Sequence, residues 1–144
     1  MRLGEFIDFM VLLLWQAGVE LHLHERKRWH ALFHELSRMP GVRGKPPVLN
    51  GIRFQRDRTY PWCEALDAYL AELCANRTVT WEKPAFSGYT ISRETAQRWR
   101  EAFTMLTKEE NDFFIMHALP RAKQIFALAD VSAAMDYCVQ QMRR

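Results

Sequence analysis

The chain has 144 residues, a formal net charge of +3 and a 26% share of charged residues, the ordinary proportion for a globular protein. With 49% hydrophobic and 12% aromatic residues, including five Trp and nine Phe, it carries enough apolar material for a packed core. That composition excludes a disordered chain, and the length suits one domain over 1–144 but not two ordinary ones.

The charge is unevenly spread. Ten Lys/Arg face six Asp/Glu from Met1 to Tyr60, and ten face eleven from Pro61 to Arg144, so the basic excess belongs to the first half. Three cysteines, Cys63, Cys74 and Cys138, lack zinc-type spacing and fit free thiols in a reducing compartment, which makes the cytoplasm the expected location. The apolar run Phe9–Trp15 follows Glu5 and Asp8, where a signal peptide needs a cationic start. It also falls short of the ~20 residues of a membrane span, so no membrane association is expected.

Gly4 to Gly18 reads as a helix, apolar on nearly every side through Phe6, Phe9, Met10, Leu12, Leu13 and Trp15, and such a helix belongs in the middle of a domain. Val19–Leu23 is a short extended link. Arg26 to Arg38 is amphipathic, with Trp29, Leu32, Phe33 and Leu36 at helical spacing, and Met39-Pro40-Gly41 stops it. Gly41 to Asn50 has no apolar period and reads as a loop, with Ile52-Arg53-Phe54 a short strand after it. Pro61 suits the first position of a third helix, which carries Trp62, Leu66, Tyr69, Leu70 and Leu73 and ends near Asn76.

Val79 and Trp81 alternate with Thr78 and Thr80, and Tyr89 and Ile91 flank Thr90. Lys83-Pro84 and Ser87-Gly88 between them suit the tip of a β-hairpin. Ser92 can cap a helix bearing Ala96, Trp99 and Phe103, and Thr107 with Glu110 forms a capping box for the next. Pro120 breaks or kinks that helix. Asp130 can cap a last one with Met135, Val139 and Met142 inward. The expected fold is mainly α (α+β): a winged-helix-like three-helix core with a β-hairpin over 1–91, and C-terminal helices over 92–144.

The chain resembles the small YwgA-type proteins, themselves distantly similar to the SocA (Panacea) group of antitoxin-like domains. The resemblance rests on Arg26-Lys27-Arg28-Trp29-His30-Ala31-Leu32-Phe33, on Phe54 through Tyr60-Pro61, on Leu66, Leu70 and Leu73, and on Tyr89-Thr90-Ile91. It covers roughly the first two thirds of the chain and departs at Thr59-Tyr60-Pro61-Trp62, where the family has a Gly-Pro-Tyr-Ser-like turn. It implies a winged-helix-like regulator or interaction module without settled enzymatic activity.

Two functions stay open on the residues, DNA binding or regulation placed first and protein interaction as the alternative. Arg38, Arg43, Lys45, Arg53, Arg56 and Arg58, together with the helix start Arg26-Lys27-Arg28, can neutralise phosphates, with Phe54 and Tyr60 interleaved to stack on bases. These nine residues are the candidate nucleic-acid contacts. The third helix, however, holds Glu64, Asp67 and Glu72 and no basic residue, so a phosphate-lined groove repels it. These three are the candidate partner-binding residues of a small subunit or adaptor, in a mobile-element or defence system. Phe113-Phe114-Ile115-Met116 on the C-terminal helices is either core or a partner or homo-oligomer interface.

No catalytic residue is expected. The chain has no Gly-x-Ser-x-Gly elbow and no glycine-rich phosphate loop, and the cysteines have no histidine close in sequence. His22, His24, His30 and His34 fall close together, with His30 and His34 on one helical face. Without further convergent ligands the expectation is surface histidines, no metal and no cofactor.

Overall fold

A computed structural model describes residues 1–55, 60–82 and 88–128. Its order is α1 (Leu3–Gln16), α2 (Lys27–Arg38), a 3-10 turn (Pro47–Gly51), α3 (Glu64–Ala75), β1 (Val79–Glu82), β2 (Gly88–Ile91), α4 (Arg93–Thr104), α5 (Lys108–Phe113), a π-helical turn (Phe114–Ala118) and α6 (Leu119–Phe126). The described chain is thus mainly helical with one two-stranded antiparallel sheet, and none of its helices is long and apolar enough to cross a membrane.

The all-round apolar character of α1 is explained by its neighbours. It packs on α3, α4 and α6, and Phe6, Ile7 and Phe9 through Leu14 are buried. Phe6 stacks on Phe114 at 4.8 Å between ring centroids and meets Phe33 edge-on at 5.6 Å. Phe9 meets Phe103 at 5.4 Å and Phe114 at 5.7 Å, both edge-on. Helix α2 buries its stripe of Trp29, Leu32, Phe33 and Leu36 and lies against α6.

The hairpin has the register Val79↔Ile91, Thr80↔Thr90, Trp81↔Tyr89 and Glu82↔Gly88. Period two puts Val79 and Ile91 on the face turned to the core, with the Trp81–Tyr89 ring pair beside them at 4.9 Å. Its tip lies outside the described residues, as does the helix expected after Asp130. The caps are local and fall where the sequence puts them. Ser92 Oγ accepts from the Thr95 N–H at 3.1 Å, and Thr107 and Glu110 exchange both capping-box hydrogen bonds.

Three expected elements change. The loop from Gly41 to Asn50 contains the start of the 3-10 turn Pro47–Gly51, which buries Leu49. Ile52-Arg53-Phe54 forms no strand, and an isolated bridge pairs Gln55 with Trp62 instead. Helix α3 starts at Glu64 and not at Pro61. The break expected at Pro120 takes the form of an interruption between α5 and α6. Lacking an N–H for the carbonyl four residues back, the proline sits at the start of α6, and the backbone before it relaxes into the π-helical turn.

Candidate functional site

The late start of α3 comes from a buried polar pin. The Cys63 N–H donates to His30 Nδ1 at 3.0 Å, so the proton of this imidazole sits on Nε2, which donates to Asp67 Oδ1 at 3.0 Å. Arg26 Nη1 donates to Asp67 Oδ2 at 3.2 Å and to the Asp67 carbonyl at 3.0 Å. Trp62 stacks on the His30 ring at 5.7 Å, and its carbonyl accepts from the Gln55 N–H at 2.8 Å. Residues 61–63 are therefore committed to α2 and to Gln55, and helical geometry begins only after them.

The same pin corrects the expectation for the histidines. His30 is 0% exposed and His34 is 7% exposed, so neither lies on the surface. His34 meets Phe54 edge-on at 5.1 Å, and burial, aided by the nearby Arg38 charge, pushes its imidazole down to about 4.

The candidate phosphate contacts are distributed between the interior and the surface. Arg28 is 4% exposed, and its Nη1 donates to the carbonyls of Ile125, Phe126 and Leu128 at 3.0, 3.4 and 2.9 Å. It caps the C-terminal end of α6, where carbonyls lack helical partners and a cation is favoured, and does not reach solvent. Arg26 is held by Asp67, and Lys27 lies 5.9 Å over the Tyr60 ring. Lys45 Nζ donates to the carbonyls of Met39 at 2.8 Å and Ser37 at 3.3 Å, closing the end of α2, and burial lowers its pKa. Arg43 reaches Glu109 at 3.4 Å from an exposed position. Arg38 and Arg53 are exposed, and Arg56 and Arg58 lie outside the described residues.

Of the three candidate partner-binding acids, Glu64 and Glu72 are exposed, while Asp67 is turned inward to Arg26 and His30. Phe113 and Phe114 belong to the core, whereas Ile115 and Met116 are exposed.

Two concavities and one cluster were not foreseen. An open trough of about 670 Å³ runs between the start of α1, residues 51–55 and α3, with Leu3, Val48, Ile52, Phe54, Ala65 and Ala68 on its walls and Arg53 and Glu64 at its polar edge. A smaller hollow of about 230 Å³ holds Asp8, Tyr69 and Arg98. There the Tyr69 hydroxyl donates to Asp8 Oδ1 at 2.7 Å, and burial pushes the Asp8 carboxyl up to about 6. Finally, Glu20, His22 and His24 bring one donor atom each within 4.8 Å of one another. Burial holds the His22 imidazole below its usual pKa, against the opposing pull of Glu20. The alternation of Glu20, His22 and His24 with Leu21 and Leu23 was the available signal for this cluster, and Glu20 was the member overlooked.

Comparison with protein families, curated proteins and solved structures finds no match to this chain.

Proposed function

We propose that this chain is a non-catalytic protein-interaction module, a small subunit or adaptor that binds an extended apolar segment of a partner protein in the trough beside α3. The trough is the observation that carries the reading. Its walls are aliphatic and aromatic, and the exposed Ala65 and Ala68 keep the α3 side low. Along its other side Ile52 is extended, with φ −71° and ψ 131°. Among the described residues, the backbone groups of Ile52, Arg53 and Phe54 have no hydrogen-bond partner. An extended edge beside apolar pockets is what strand addition by a peptide uses: backbone pairing gives affinity and alternate side chains give specificity. Exposed Glu64 lies at the edge of the trough, whereas exposed Glu72 lines the smaller hollow beside Asp8 and Tyr69. The order of α1, α2 and α3 before the hairpin is compatible with a winged-helix-like arrangement.

The test starts from a random peptide library panned on the protein. Selected peptides are expected to alternate apolar residues and to bind with micromolar affinity. Ala68→Arg, which fills the trough from an exposed position, is expected to weaken them by about tenfold or more. Peptides without that pattern, or indifferent to Ala68→Arg, overturn the proposal.

DNA binding is the second reading, and it rests on the exposed Arg38 at the end of α2 and the exposed Arg43 and Arg53 after it. It predicts a duplex mobility shift that weakens steeply with salt and is lost when Arg53, Arg56 and Arg58 are changed to Ala. It draws less support than the trough because Arg28 and Lys45 spend their donors on backbone carbonyls and Arg26 is paired with Asp67.

A further inference from the structure

We infer that Glu20, His22 and His24 form a site for a borderline divalent cation, with Zn²⁺ the best match to two imidazoles and one carboxylate. The link from α1 to α2 is built to present them together. Leu21 and Leu23 are 1% and 3% exposed and turn into the core, while Glu20 and His24 are exposed and His22 is half-buried between them. Trp29 Nε1 donates to the Leu21 carbonyl at 2.6 Å and pins the middle of the segment. His22 sits in the left-handed region at φ +48°, a conformation uncommon for a residue with a side chain, and there the donor atoms of all three residues come within 4.8 Å.

Each imidazole is also seated by a different part of the fold. The His22 ring meets Phe126 edge-on at 5.8 Å, against the end of α6. His22 Nε2 lies 3.8 Å from Glu20 Oε2, a separation that one cation bonded to both atoms at about 2.0–2.2 Å can span. His24 stacks on Tyr89 at 6.2 Å and meets Trp81 edge-on at 5.8 Å, so the hairpin holds this ligand. Three protein ligands leave one tetrahedral position for water or for a group from a partner. A bound cation would tie the α1–α2 link, already braced by the end of α6, to the hairpin.

The test uses the full chain without an affinity tag. Co²⁺, whose visible bands report coordination, and Zn²⁺ are titrated directly, and melting is followed with and without about 100 µM Zn²⁺. One equivalent is expected to bind, with tetrahedral Co²⁺ bands displaced by Zn²⁺ and a rise in Tm. The pair of changes His22→Asn and His24→Gln is expected to lower affinity by about 100-fold or more, Asn being tolerated at a left-handed position. Glu20→Gln, at an exposed residue, gives a second readout independent of any folding defect in that pair and is expected to weaken binding and alter the Co²⁺ spectrum. His117→Gln is expected to leave binding unchanged. No binding by the native chain, or binding that survives both the His22/His24 pair and Glu20→Gln, overturns the site.

Discussion

Arg28 shows what a buried cation contributes when its partners are backbone groups. Its Nη1 serves the carbonyls at and just after the end of α6, those of Ile125 and Phe126 buried and that of Leu128 partly buried. Replacing it by Met keeps much of the volume but strips those carbonyls, so Arg28→Met is expected to cost about 2–4 kcal/mol, read as a lower urea midpoint. Asp8 and His34 act through pH with opposite sign. The folded pKa of Asp8 is raised from 3.8 to about 6, so its contribution is full below the unfolded value and is lost as pH rises through 6. That of His34 is depressed from 6.5 to about 4, so its contribution is full above the unfolded value and is lost as pH falls through 4. Asp8→Asn keeps an acceptor for the Tyr69 hydroxyl and removes the first slope. It is expected to stabilise the fold by about 1–2 kcal/mol at pH 7, with the gain shrinking toward pH 4 in urea melts. An equal gain at both pH values would count against a buried ionised Asp8.

Among the elements, the turn from Val42 to Lys45 shows how far the basic loop is from a free arm. The Lys45 N–H returns to the Val42 carbonyl at 3.1 Å, the Lys45 side chain closes α2, and Arg43 reaches α5. Gly44 makes this possible with φ +87°, and a Cβ there would drive into the backbone carbonyl of Glu109. Gly44→Ala is therefore expected to lose roughly 2 kcal/mol or more, far beyond an exposed loop substitution, in the same melts. Local signals of this kind decide what a sequence discloses. The α2 stripe, the Ser92 cap and the Thr107–Glu110 box involve neighbours within one or two turns, and each was legible. The start of α3 was not, because the preference of Pro61 for a first helical position yields to His30, 33 residues from Cys63, which no local window contains. Charge spacing likewise finds Arg26, Arg28 and Lys45 but not their direction. Whether an arginine meets solvent or a helix end depends on α6, about a hundred residues away for Arg28.

For the whole molecule, the packing runs across the boundary expected at residue 91. Helix α1 gathers Phe103, Phe113 and Phe114 around Phe6 and Phe9, α2 lies on α6, and Trp29 meets Phe126 edge-on at 5.1 Å. A fragment of residues 1–91 would expose the most apolar helix of the chain and leave Arg28 without the carbonyls it serves. Each buried Phe lost from such a cluster costs about 3–5 kcal/mol, and a native domain has only about 5–15 kcal/mol in total. The 1–91 fragment is therefore expected to show no cooperative urea transition and no near-UV ellipticity from Trp15 or Trp29. The full chain is expected to unfold in one step, with fluorescence and far-UV signals coincident. A cooperative transition in the fragment would mean that three helices and the hairpin make a core by themselves, and that α4 to α6 only shelter it.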